Sequence, residues 1–133
     1  VEEGIVPGGG TTLLRAAEGL EGLIEDLKGD ERTGARVVQQ ALRAPAFWIA
    51  ENTGRDGSVV IEEILERKSP MGFDAVSGEY VDLWKAGIVD PAKVTRSAIQ
   101  SAASIASLLL TTSVMVTELK DKDRSKAVSG AIL

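Results

Sequence analysis

Two residue types are missing altogether: the 133-residue chain has no cysteine and no histidine. Disulfides, thiolate or imidazole metal sites, cysteine nucleophiles and Ser-His pairs are therefore excluded. Aromatic residues are scarce at 4%, so any core must be built from Leu, Ile, Val and Ala. Chemistry is left to carboxylates, Lys or Arg, hydroxyls and backbone amides. Concentrated positive charge is lacking too, since 15 basic residues face 20 acidic ones. Residues 1–66 carry 6 basic and 13 acidic side chains, and residues 67–133 carry 9 and 7. Neither half offers the dense basic face that nucleic acid requires. The start, Val1-Glu2-Glu3-Gly4, has no basic stretch followed by an apolar run, so no signal peptide is visible. Without an initiator Met, the chain is expected to be a segment of a longer one.

Hydrophobic residues make up 44% of the chain, enough for one domain with a core. The 21 residues Ser97 to Thr117 carry no charge, close to the length of a membrane span. Gln100, five serines and three threonines load that run with polar groups, so a buried helix of a soluble domain is expected.

The apolar spacing predicts a mainly α fold with a small β-hairpin and a short C-terminal strand. Leu13, Ala17, Leu20, Ile24 and Leu27 form one helical face over 11–27. A second helix is expected over 34–51, split or kinked at Pro45. Its core candidates are Val37, Val38, Ala41, Leu42, Trp48 and Ile49. Ser58 is expected to cap a third helix over 59–67. Phe73-Asp74-Ala75 and Glu79-Tyr80-Val81 flank Val76-Ser77-Gly78 as a hairpin that must lie on the helices. Leu83 to Ala86 is expected as a helical turn. Asp90-Pro91 reads as a helix start. The helix after it, with Val94, Ala98, Ala102, Ile105 and Leu109 facing inward, is expected to be central. Val114–Thr117 is β-prone, and residues 120–133 read as a solvated, mobile tail. Trp48 and Trp84 are expected as core or interface anchors.

Two helix openings are candidate ligand contacts. Pro7-Gly8-Gly9-Gly10 enters the first helix, whose first turn, Thr11 to Leu14, has no acid. Bare backbone amides and a helix N-terminus suit an anion, although the run is equally a tight structural loop. No Gly-Lys-Ser/Thr follows, so it is not a Walker loop. Asp90 is either a helix cap or a carboxylate that accepts from ribose hydroxyls. Lys93 and Arg96 make that second opening positive, through a nearby anion or as a solvated face. Asp74 is a turn residue or a rim contact.

In this order the pieces resemble the GroEL-type (group I) sixty-kilodalton chaperonins. The resemblance rests on Val1 to Gly10, Gly72-Phe73-Asp74-Ala75, Gly78-Glu79-Tyr80, the run Gly87 to Ala98, and Met115-Val116-Thr117-Glu118-Leu119. It implies that residues 1–119 are the C-terminal segment of an equatorial domain, which binds ATP with Mg²⁺ (K⁺ as a further ion) and makes contacts within and between rings. It places Gly9 at the nucleotide, Asp90 at the ribose, and Asp74, Ala75 and Ile88 around adenine and sugar. Implied partners are identical subunits in a double seven-membered ring, unfolded clients and a lid co-chaperonin, with no nucleic acid and no membrane. The implied compartment is bacterial cytoplasm, with the mitochondrial or plastid matrix as alternative.

The family's phosphate-binding Gly-Asp-Gly-Thr-Thr loop, its water-positioning carboxylate and its client-gripping apical domain have no counterpart here. No catalytic residue and no metal ligand is therefore expected in this segment, which alone should neither hydrolyse ATP nor fold clients. The tail also lacks the Gly-Gly-Met repeats of bacterial members. Two further readings remain: a small α-helical oligomerisation scaffold whose Val114–Thr117 edge pairs with a neighbouring chain, and a stand-alone nucleotide enzyme. The second is the least favoured, since no side chain here is placed to act as a complete catalytic set.

Overall fold

Three glycines join the first strand to the first helix, and their geometry orients much that follows. β1 is Ile5–Pro7 and α1 is Thr11–Gly19. Gly9 and Gly10 have φ of +63° and +75°, a region that penalises a side chain. At Gly10 a Cβ would stand 2.6 Å from the Ala46 amide nitrogen. The opening of α1 is thus pressed against α3, Gly29–Glu51. The computed structural model describes residues 2–117.

The single helix expected over 11–27 is two, α1 and α2 (Glu21–Asp26). They separate at Leu20, between Gly19 and Gly22, where helix continuation is least favoured. Leu14 is buried in place of Leu13, and Ile24 is buried as expected.

α3 begins at Gly29 rather than at 34, and Pro45 does not split it. Asp30 and Glu31 lie in its first turn, where acids stabilise the positive end. Pro45 and Ala41 both face solvent, so water can satisfy the carbonyl that lacks its helical donor. The expected core of this helix is corrected as well. Val37, Val38 and Trp48 are exposed, while Ala46 and Ala50 are buried.

α4, Gly57–Glu66, is capped by Asp56 and not by Ser58. Asp56 Oδ1 accepts from the amides of Ser58 (2.8 Å) and Val59 (3.1 Å). At the other end of α4, Arg15 donates to the carbonyls of Ile64, Leu65 and Arg67, a cation placed at a helix C-terminus. The core unites Leu14, Ala46, Ala50, Val60, Ile61 and Ile64 with Phe73 of the hairpin. That hairpin, β2 (Met71–Asp74) and β3 (Glu79–Asp82), pairs Phe73 with Tyr80 and lies on the helices as expected. Leu83 to Gly87 turn back, with Asp82 Oδ1 accepting from the amides of Trp84 and Lys85. Trp84 itself is exposed, so neither tryptophan belongs to the core.

β4, Val89–Pro91, pairs antiparallel with β1, and neither strand is evident from the sequence pattern. β4 absorbs Asp90-Pro91, so the last helix, α5 (Ala92–Thr111), starts after that dipeptide rather than at it. The chain divides into two compact units, Val1–Gln100 and Ser101–Leu133, and α5 contributes to each. No residue of α5 is buried, which corrects its expected central place. Val94 is 62% exposed and Ile105 60%. These positions belong to an exposed apolar stripe along the helix.

Residues 114–117 form no strand, which corrects the expected short C-terminal one: three or four β-prone residues are too few to hold a strand by local preference. The tail expected over 120–133 lies outside the described residues. Among those described, no helix is long and apolar enough to cross a membrane. The mainly α class holds.

Candidate functional site

The β1–β4 ladder joins the two helix openings. Its register sets Val6 opposite Asp90 and Pro7 opposite Val89. Just beyond it the Gly8 amide donates to the Ile88 carbonyl at 2.9 Å. A Cβ on Gly8 would stand 3.2 Å from that carbonyl group, a tight approach that a side chain would press apart by a few tenths of an ångström. Gly9 comes next, and a Cβ there would lie 3.5 Å from the carbonyl oxygen of Phe73, the residue before Asp74. Gly9, Ile88, Asp90 and the end of β2 that leads to Asp74 and Ala75 are thus gathered from three parts of the chain.

The electrostatics at α1 favour an anion. Its first turn holds no acidic residue and its N-cap, Gly10, makes no side-chain cap. The partial positive charge of the helix opening is therefore not offset by a local carboxylate. Thr12 Oγ1 donates to the Pro7 carbonyl at 2.6 Å and braces the loop. Thr11 is buried, and its hydroxyl finds no hydrogen-bond partner among the described residues. It packs under the hairpin, where a Cβ on Gly72 would come within 2.6 Å of it.

Asp90 is exposed, and its carboxylate accepts no hydrogen bond from any described residue. The expected cap bond is not made, since the helix begins two residues later. Asp74 differs. Its Oδ1 accepts from the Val76 amide (2.9 Å) and its Oδ2 from the Ser77 hydroxyl (2.7 Å). Those two bonds, the hydroxyl's first, hold the carboxyl below its ordinary range. Its carboxylate acts as a turn residue, and Ala75 beside it is left exposed.

Lys93 and Arg96 do not indicate an external anion. Lys93 pairs with Glu2, and Arg96 pairs with Glu3 through two bonds of 2.7 and 3.0 Å. Their positive charge is answered from within the chain. Among the described residues no group of three acidic side chains could hold a metal ion. The site can offer backbone donors, an unengaged carboxylate and an exposed hairpin tip.

A second concavity escapes sequence reasoning. A groove of about 900 Å³ runs between α3 and α4, lined by Val37, Ala41, Ala44, Phe47, Trp48 and Ile61 among others. Val37, Ala41 and Trp48 read as core from their spacing; only the packing shows them open, over a floor that includes the buried Ile61. The groove touches neither Gly9 nor Asp90.

Residues 1–120 match the TCP-1/cpn60 chaperonin family. Among solved structures, the chain is similar to the open-state monomer of a group II chaperonin from Methanococcoides burtonii, with 25% identity and a TM-score of 0.76. That match covers 81% of this chain and 28% of the other. The chain is also similar to a group III chaperonin in the open state, with 30% identity and a TM-score of 0.78, covering 86% of this chain and 24% of that one. It therefore spans about a quarter of the length of the structures it matches.

Proposed function

The chain belongs to the TCP-1/cpn60 chaperonin family, and from that premise we propose that residues 1–119 are the C-terminal segment of the equatorial domain of an ATP-dependent protein-folding chaperonin. The observation that carries this reading is the β1–β4 ladder, which sets the glycine-rich opening of α1 beside Ile88 and Asp90.

The residues fit a nucleotide. Gly9 leaves clear the space a side chain would take, the amides of the α1 opening face no local acid, and the Asp90 carboxylate is unengaged. In this reading Gly9 lies against the nucleotide and Asp90 accepts from the ribose hydroxyls. Ala75 and Ile88 border adenine and sugar, with Asp74 holding the turn that presents Ala75. ATP with Mg²⁺, and K⁺ as a further ion, would supply a γ-phosphate that water can attack. This chain's own residues bind and orient; the groups that position phosphates and water lie elsewhere in the whole protein.

The exposed α3/α4 groove and the α5 stripe suit burial against the rest of the domain and neighbouring subunits. Ring assembly and binding of unfolded clients follow from the family reading. A double seven-membered ring, a lid co-chaperonin and a bacterial cytoplasmic setting (or a mitochondrial or plastid matrix) go with the finer, GroEL-type assignment. That assignment rests on Gly72 to Ala75 and Gly87 to Ala98, whereas the matched structures named above are of groups II and III. A nucleotide-free oligomerisation scaffold is the second reading, favoured by the exposed Trp48 and Val37.

The test is Asp90→Asn in the full-length protein. Loss of one bond to a charged acceptor should weaken Mg-ADP binding about tenfold. The melting temperature should stay unchanged, because Asp90 caps nothing. Unaltered affinity would favour the scaffold.

A further inference from the structure

Arg55 stands in the exposed turn between α3 and α4, yet it reaches the hairpin that borders the site. Gly54, with φ +81°, and a bond from the Arg55 amide to the Ala50 carbonyl (3.3 Å) fold that turn back. Arg55 Nη2 donates to the carbonyl of Gly78 at 2.8 Å. Its guanidinium carbon lies 6.0 Å from the centre of the Phe73 ring. Gly78 has φ +74°, and a Cβ there would come within 3.2 Å of Nη2. The turn's positive φ calls for glycine there, and the arginine tip lies close against it.

The placement matters because of what the hairpin carries. Phe73 is the residue whose carbonyl faces Gly9, and Gly78 closes the loop that displays Ala75. Within the loop, the Gly78 amide returns to the Asp74 carbonyl at 2.8 Å, and both Asp74 oxygens are spent on Val76 and Ser77. The loop is internally tied, but a two-stranded hairpin of this length holds no fixed position by itself. Among the described residues, Arg55 makes the one hydrogen bond to its tip from outside the hairpin.

We propose that Arg55 is a positioning residue for the bound nucleotide. By holding Gly78 it sets where Asp74 and Ala75 stand relative to Gly9, and it ties the α3–α4 turn to the base and sugar side of the site. This rests on the nucleotide reading above. Arg55 touches no phosphate-side residue, so its effect falls on the nucleoside half of the ligand alone.

The experiment is calorimetric titration of the full-length, assembled protein with Mg-ADP and with Mg-pyrophosphate. Arg55→Ala should weaken Mg-ADP about fivefold, the worth of one hydrogen bond, and leave Mg-pyrophosphate within twofold. Arg55→Met, which keeps the apolar stem without donors, should behave as Arg55→Ala does and serves if the alanine variant fails to assemble. Arg55→Lys restores one donor and should return Mg-ADP to within twofold of wild type. Without nucleotide, amide exchange at residues 75–79 should rise several-fold in Arg55→Ala and Arg55→Met. Unchanged Mg-ADP affinity, equal loss of both ligands, or no rescue by lysine overturns the proposal. Asp90→Asn separates the two levels: if it weakens Mg-ADP while Arg55→Ala does not, only the role of Arg55 fails. If neither variant matters, the nucleotide reading fails with it.

Discussion

Glu3 and Arg96 lie 93 positions apart and meet side by side, Nε donating to Oε2 at 3.0 Å and Nη2 to Oε1 at 2.7 Å. With the Glu2–Lys93 pair they tie the residues before β1 to the first turns of α5. These are the segments that flank the β1–β4 ladder, so the pairs help set its register. Two parallel bonds add geometric specificity even where exposed ion pairs add little stability.

That pair predicts an acid-side pH dependence. The Arg96 guanidinium holds the Glu3 carboxyl below its ordinary value of 4.5. A carboxyl depressed in the folded state contributes stability above its unfolded value and loses it as pH falls through the folded one. The melting-temperature gap between wild type and Glu3→Gln should therefore be present near neutral pH. It should shrink as pH falls below the ordinary value of 4.5. A gap independent of pH would mean that the pair does not form.

Glycine positions should differ sharply in tolerance. Gly10→Ala meets both φ +75° and the Ala46 backbone at 2.6 Å, so urea denaturation should show a loss of about 2–4 kcal/mol. Gly4 has φ +78° and open space around it, so alanine there should cost only about 1 kcal/mol. Equal losses would contradict the close approach of α1 to α3.

The cap of α4 can be assigned by two substitutions. Asp56→Ala should cost about 1 kcal/mol, since it strips the acceptor of two amides. Ser58→Ala should stay within about 0.5 kcal/mol. The reverse order would restore Ser58 as the cap.

Burial separates Ile64 from Trp48. Ile64 is 1% exposed in the core and Trp48 is 60% exposed, so Ile64→Ala should cost about 2–5 kcal/mol and Trp48→Ala no more than about 1 kcal/mol. Trp48 emission should be red-shifted and readily quenched in the chain alone, and should shift to the blue when subunits assemble. An unquenchable Trp48 in the isolated chain would show the groove already covered.

Much of the helical pattern was legible. The hairpin around Val76-Ser77-Gly78 and the buried Ile24 followed from spacing and turn chemistry. Strands β1 and β4 were not, because three residues carry no readable alternation. Nor was the break at Leu20, which depends on the two glycines around it and on where α3 passes. The inner face of α3 was misjudged for a packing reason. Apolar size marks Val37 and Trp48 as core, yet the opening of α1 presses on Ala46 and the start of α4 on Phe47, so the buried residues of α3 are the small Ala46 and Ala50.

At the candidate site the residues themselves pointed to the loop holding Gly9, to Asp74 and to Asp90, each with a structural alternative, whereas Ala75 and Ile88 came only with the family resemblance. Geometry assigned the carboxylate of Asp74 to its turn and freed that of Asp90 from capping. It also answered Lys93 and Arg96 with Glu2 and Glu3. Arg55 went unnoticed because nothing local marks it; its partner is 23 positions away.

By itself the sequence determined the chemistry on offer: no thiol, no imidazole, glycine-rich amides and a few carboxylates. It also determined the helical periods that make the fold mainly α. Only the tertiary structure decided which apolar faces close on one another and which carboxylates remain free. Both depend on contacts between residues tens of positions apart, whose pairing is selected by steric fit and hydrogen-bond register rather than by local pattern.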